Sequence, residues 1–220
     1  DLSIVMEARL DCFVLQRCYR FRNIGQESIP VVALTQYMDP DLYFGDGGLG
    51  NDLGGVLLDD GVKLFAYDSS SVDEMGRSTI IRSSPYVAMY PDPASQAFVT
   101  SWEIGQYSEQ KRRIANYAFG CTELLNNLNR GGAGSNSDAN GDGLTDTGYD
   151  TTLAYRLDLG PLRPNQSTNQ VCLTTEWGVG INCDDADDDQ LCDGFDNCPD
   201  LANPRQMDRD YNGIGDLCQN

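Results

Sequence analysis

The chain has 220 residues, 40% hydrophobic and 22% charged, which is enough apolar material for one generous domain and too much for wholesale disorder. Lys and Arg total 15 against 34 Asp and Glu, a formal net charge of −19 that disfavours nucleic acid or an anionic membrane as partner. There is no histidine, so Ser-His-Asp and Cys-His catalysis and His-ligated metal sites are excluded within this chain.

In chain order, Tyr19-Arg20-Phe21-Arg22 alternates ring and guanidinium, placing the rings on one face of a strand and the charges on the other. Val31-Val32-Ala33-Leu34, after Pro30, suits a strand covered on both faces. The glycine-rich stretch from Phe44 to Gly55 lacks the Lys-Ser/Thr ending of a phosphate cradle and reads as a surface loop. Asp60-Gly61, between Val56-Leu57-Leu58 and Val62-Lys63-Leu64-Phe65, is a two-residue hairpin signal. Further strands are expected at Ser78 to Arg82, Tyr86 to Tyr90, and Gln96 to Ile104, with Phe98, Thr100, Trp102 and Ile104 on one face. Arg113 to Phe119, Leu153 to Leu159 (Leu153, Tyr155 and Leu157 inward) and Val171 to Trp177 complete the series. One short helix is expected, capped by Thr122, presenting Leu124, Leu125 and Leu128, and ended by Gly131. Many short strands separated by Gly, Pro and Asp turns make the chain mainly β, an antiparallel β-sandwich, although a barrel would share the pattern.

Charge divides the chain. Residues 184–220 hold 11 Asp, no Glu and 2 Arg, and their few apolar residues (Leu191, Phe195, Leu201, Met207, Tyr211, Ile214, Leu217) cannot build a core. A boundary near Asn182 follows, giving a β-sandwich over 1–182 and an acidic tail over 183–220.

Ca²⁺ takes six to eight oxygens at ~2.4 Å, and a tight loop supplies them from side chains at positions 1, 3 and 5, a carbonyl at 7 and a carboxylate at 9 or 12. Asp185, Asp187, Asp189, the Leu191 carbonyl, Asp193 and Asp196 fit that spacing. So do Asp208, Asp210, Asn212, the Ile214 carbonyl and Asp216, with Gly213 at the sixth position, where φ can turn positive. In the body, Asp138, Asn140, Asp142, the Leu144 carbonyl and Asp146 repeat the pattern, with Asp150 available to complete the shell of a loop spanning 138–150.

The run Asp196-Asn197-Cys198-Pro199, Asn203-Pro204-x-Gln206 and Gly213-Ile214-Gly215-Asp216-x-Cys218 closely resembles the thrombospondin type 3 repeat, over about 35 residues of the tail. The resemblance implies a segment wrapped around Ca²⁺ instead of an apolar core, the Asp residues just named as ligands, and a Cys198–Cys218 disulfide. The chain departs from that pattern at Gln190, where the family has Gly, and at Cys192. The body loop is similar to the isolated calcium loops of dockerin-like and type 3 modules.

Cysteines number 8, an even count that favours disulfides in an oxidising compartment. Cys192 is well placed to close a small loop with Cys183, leaving Cys12, Cys18, Cys121 and Cys172 to the body. No apolar run approaches the ~18 residues of a membrane span, and Asp1 without an apolar leader reads as a processed chain.

The expectation is therefore a secreted or cell-surface calcium-binding structural protein, not an enzyme. Ca²⁺ would rigidify an acidic arm for adhesion, matrix or self-assembly into fibres, with a second copy, other extracellular proteins or glycans as partners. Arg17-Arg20-Arg22 and Arg112-Arg113 are acceptor patches for an acidic tail or ordinary solvated faces. The alternatives are a carbohydrate-binding module, with Trp102 and Trp177 as stacking platforms, and a glycan-active enzyme. The enzyme would use Glu103 and Glu176, each beside a Trp and each read as solvent-facing. Asn165-Gln166-Ser167 is a glycosylation sequon.

Overall fold

The computed structural model describes residues 1–40, 42, 52–58, 61–68, 85–115, 124–129, 137–139, 141, 143–179, 184–189, 191, 193, 196–210 and 212–219. The strands are β1 (Leu2–Asp11), β2 (Val14–Asn23), β3 (Ala33–Met38), β4 (Leu53–Leu57), β5 (Lys63–Tyr67), β6 (Pro85–Pro91), β7 (Val99–Gln106), β8 (Leu128–Asn129), β9 (Thr151–Asp158) and β10 (Val171–Val179). They form a six-stranded sheet, β1-β2-β10-β6-β5-β4, and a four-stranded sheet, β3-β9-β7-β8. Every pairing is antiparallel except the short parallel contact of β7 with β8. The fold is mainly β.

Alternation along the strands builds the core between the sheets. Leu64, Met89, Val171 and Leu173 from the large sheet meet Ile104, Leu153, Tyr155 and Leu157 from the small one. Leu153, Tyr155 and Leu157 are all fully buried, as their spacing requires, and Phe21 is buried while Arg20 and Arg22 are exposed. Tyr155 pins the two sheets together. Its hydroxyl donates towards the carbonyls of Val62 (2.6 Å) and Met89 (2.9 Å) and accepts from Leu64 N (3.0 Å). Burial holds that hydroxyl far above the usual tyrosine range, so it stays a donor. Tyr155→Phe strands the Leu64 N–H in the core and is expected to cost about 1–3 kcal/mol, read as a shifted denaturation midpoint at unchanged m-value.

The structure corrects several expectations. Arg113, Ile114 and Ala115 end a helix, α1 (Tyr107–Ala115), instead of opening a strand, and 116–119 lie outside the described residues. The helix expected after Thr122 is not formed over its described part: Leu124 and Leu125 are irregular and Leu128 enters β8. Here pairing with Ile104 of β7 outweighs the local helical spacing. Gln96–Phe98 is a 3₁₀ turn, and a register shift between Val99 and Ser101 breaks the alternation read through Thr100, which is exposed. The strand after Pro30 starts only at Ala33, and Val31 is 55% exposed.

Leu53 to Gly55, read as loop, enter β4, Asp52 bridges to Tyr149, and the β4–β5 pairing of Leu57 with Lys63 leaves a five-residue connection in place of a two-residue turn. Val62 is held there by tertiary bonds, its carbonyl to Tyr155 and its N–H to Gln96 Oε1 at 3.4 Å. The strand expected at Ser78 to Arg82 lies outside the described residues, as do 43–51 of the glycine-rich stretch.

Two disulfides are described, Cys18–Cys172 between paired residues of β2 and β10, and Cys198–Cys218 in the tail. They fit a non-cytoplasmic, oxidising environment. Cys12 is free and exposed, and Cys121, Cys183 and Cys192 lie outside the described residues. No helix among the described residues is long and apolar enough to cross a membrane.

Candidate metal centre

Three loops of equal length close in the same way. In the body, Asp146 N donates to Ser137 O (2.7 Å) and Ala139 N to Asp146 Oδ2 (2.9 Å). In the first tail loop, Asp193 N donates to Asp184 O (2.9 Å) and Ala186 N to Asp193 Oδ1 (2.8 Å). In the second, Asp216 N donates to Met207 O (2.7 Å) and Arg209 N to Asp216 Oδ1 (3.1 Å). The ninth-position carboxylate thus fastens the start of each loop, an arrangement that spacing alone does not reveal.

Inside the loops the first and fifth positions accept backbone donors. Asp138 takes Gly141 N (2.7 Å) and Gly143 N (3.1 Å), and Asp208 takes Asn212 N (3.3 Å) and Gly213 N (2.9 Å). Asp189 Oδ1 accepts from Leu191 N (2.9 Å), as Asn212 Oδ1 accepts from Ile214 N (2.8 Å). Gly143 and Gly213 at the sixth position both have φ of +81°. Asn140, Asp142 and Gln190 lie outside the described residues.

The first tail loop gathers the most charge. One carboxylate oxygen each from Asp185, Asp187 and Asp189 lies within 4.8 Å of the others, the separation expected of oxygens held ~2.4 Å from one cation. Asp187 Oδ2 is buried and receives no hydrogen bond among the described residues. Partial burial, then the carboxylates of Asp189, Asp185 and Asp193, raise the Asp187 carboxyl above its ordinary range. Burial, followed by Asp189 and Asp187, does the same to Asp196 against the lowering effect of its hydrogen bonds. These carboxylates repel one another, and the cluster could hold a metal ion.

The other loops are drawn together differently. Asp210 accepts from Asn212 Nδ2 (3.2 Å) and Gln219 Nε2 (3.0 Å), and Asp216 faces Arg209 Nε at 3.5 Å. Among the described residues Asp208, Asp210 and Asp216 do not form as close a trio. Ile214 is 50% exposed, whereas Leu191 and Leu144 are buried. Leu144 packs with Leu53, Phe65 and Tyr67 on the outer face of the large sheet, so the body loop is nailed to the sandwich. Asp150 gives its carbonyl to Tyr107 N (2.8 Å), and its charge helps raise the Tyr37 hydroxyl, after burial and Asp39.

Between the two tail loops the interior is polar. Asp189 Oδ2 accepts from Asn203 N (2.9 Å), and Asp196 Oδ1 from Cys198 N and Gln206 Nε2, both at 2.7 Å. Gln206 Nε2 also reaches Asn203 Oδ1 (2.7 Å), and Asn203 Nδ2 reaches Asn197 Oδ1 (2.6 Å). Asp189, Asp196, Asn203, Gln206 and Asp208 are all buried. The sequence motif contains Asn203 and Gln206, but nothing in their spacing announces that they are the hub joining the loops. Gly215 sits where a Cβ would lie 2.4 Å from Asn197 Oδ1 and 2.5 Å from Cys198 Sγ, so no larger residue fits beside the disulfide. No family model matches this chain, and no curated protein matches it either.

The two glutamates considered for hydrolysis are on opposite sides of the molecule. Glu176 lies on the outer face of the large sheet with Lys63 Nζ (2.5 Å) and Tyr90 OH (2.7 Å). Glu103, read as solvent-facing, is fully buried beyond the small sheet, where its Oε2 accepts from Leu125 N (2.9 Å). α1 and the chain at 124–127 cover that face, which residue alternation in β7 could not foretell. With the whole core between them, the pair cannot flank one glycosidic bond. Trp102 packs against the core, and Trp177 is 36% exposed.

Proposed function

We propose that this chain is a secreted or cell-surface calcium-binding structural protein without enzymatic activity. A β-sandwich over 1–182 carries one calcium loop, and a tail over 183–220, similar to a thrombospondin type 3 repeat, is organised by Ca²⁺. The observation that carries this reading is the convergence of Asp185, Asp187 and Asp189 inside a loop closed like two others. An all-oxygen donor set without histidine favours Ca²⁺ over zinc or copper. Each ion would offset carboxylate repulsion and tie side chains to backbone carbonyls, turning a flexible polyanion into an arm of fixed direction. Such an arm serves adhesion, matrix attachment or assembly with other copies.

Calorimetric titration of the EDTA-stripped chain with CaCl₂ tests the proposal. Saturable binding is expected, with the share of the first tail loop lost in Asp187→Asn; no heat and no ion retained after desalting would refute it.

The raised carboxyls set the pH dependence. Because Asp187 and Asp196 bind protons more readily folded than unfolded, they stabilise the metal-free tail below the ordinary carboxylate range. That contribution fades as pH rises through their raised values. Ca²⁺ competes with those protons, so affinity falls as pH falls. In EDTA, NMR dispersion of the Leu191 and Asn203 amides should improve on mild acidification, while calcium affinity at the same pH weakens.

A further inference from the structure

The large sheet treats its two edges differently. At β4 the edge is covered: Val56 N donates to Gly143 O (2.9 Å), Gly54 N to Thr145 Oγ1 (2.9 Å), and Thr145 N to Gly54 O (2.8 Å). At the other end of the sheet order, β1 pairs with β2 on one side, and among the described residues no neighbour covers its other side. Its length is 10 residues with unbroken register and no Pro, Gly or Lys, and its charged side chains, Glu7, Arg9 and Asp11, all lie on one face, so the edge is long and regular. Ile4, Met6 and Leu10, each more than half exposed, continue the face of Phe21, Tyr19 and Leu15 beyond the reach of the small sheet.

We infer that β1 is an assembly edge and that its partner is β1 of a second copy, paired antiparallel about a two-fold axis through Ala8. The turn Cys12-Phe13 makes Asp11 and Val14 the closing pair, so the even-numbered residues of β1 aim their backbone N–H and C=O outward. A two-fold through Ala8 matches even with even. Met6 then faces Leu10 of the partner copy on the apolar face, and Glu7 faces Arg9 of the partner copy on the other, each pair occurring twice. Centring the axis on Glu7 or Arg9 instead places like charges opposite each other, and centring it on Leu10 leaves only a short overlap. Residues 1–24 carry four Arg against three acids, so this edge escapes the repulsion expected from a chain of net charge −19. The pairing needs no metal, so it stands or falls apart from the calcium reading.

Sedimentation equilibrium of the full chain, run in EDTA and in CaCl₂, tests it. A reversible monomer–dimer equilibrium is expected in both. Glu7→Arg and Arg9→Glu each set two like-charge pairs opposite one another and should weaken the dimer by about tenfold or more. The double swap E7R/R9E should restore it, which neither misfolding nor general stickiness would do. A chain that stays monomeric at hundreds of micromolar, or a dimer indifferent to either single swap, overturns the proposal. So does a dimer weakened by both single swaps but not restored by the double.

Discussion

Asp189→Ala is expected to abolish cation binding in the first tail loop and to unfold the junction between the tail's two halves, leaving the sandwich intact. The side chain is 7% exposed and does two jobs at once: Oδ1 holds Leu191 N inside the loop and Oδ2 holds Asn203 N of the connecting segment. Truncation leaves two buried donors without partners, at about 1–3 kcal/mol each, besides removing one of the three clustered carboxylates. Asp189→Asn keeps an acceptor but not the charge, so it should retain more of the metal-free order than Ala while losing most of the calcium response. Heteronuclear NMR separates the outcomes: tail amides collapse towards random-coil positions in Asp189→Ala, and core amides such as Leu64 do not move. A variant whose tail spectrum and calcium affinity match the parent would remove Asp189 from its assigned role.

The second large effect belongs to the sandwich. Replacing both Cys18 and Cys172 by Ser opens a crosslink spanning 154 residues of sequence, which in the chain-entropy picture is worth about 4–5 kcal/mol. The two residues stand opposite each other in the β2–β10 ladder, so the native geometry survives the change and the loss acts mainly through the unfolded chain. The tail bond closes a separation of only 20 residues, and its removal should cost less, about 3 kcal/mol. Denaturant unfolding of the two double-serine variants, each followed by a probe in its own half, should rank them in that order. A body that unfolds at the parental midpoint without Cys18–Cys172 would contradict this account of its stability.

The sandwich was legible wherever one face of a strand meets the core, as at Tyr19 to Arg22 and Leu153 to Leu157, because burial on one side writes a period of two into the sequence. It was illegible where that condition fails. β1 is the exception: Leu2, Ile4, Met6, Ala8 and Leu10 alternate with Ser3, Glu7, Arg9 and Asp11, so the period of two is present although almost every residue is exposed at the edge. The segment around Leu124 to Leu128 has helical spacing that a parallel contact with β7 overrides, and Val62 is held by Tyr155 and Gln96 from distant parts of the chain. In the tail, oxygen-bearing residues at alternate positions announce the loops, since a cation's shell imposes that spacing. The shared closure through Asp146, Asp193 and Asp216, and the hub of Asn203 and Gln206, depend on how the backbone curls and leave no periodic trace.

Hydrogen exchange of the tail amides with and without bound calcium addresses the central claim most directly, because the tail's buried interior is largely polar and its organisation is assigned to the ion. With Ca²⁺ present, Leu191, Asn203 and Gly213 should exchange slowly. After exhaustive EDTA treatment they should exchange at nearly unprotected rates, while Leu64 and Tyr155 in the sandwich keep their protection. Equal protection of the tail in both states, with elemental analysis finding no divalent ion, would show that the segment holds its shape without metal.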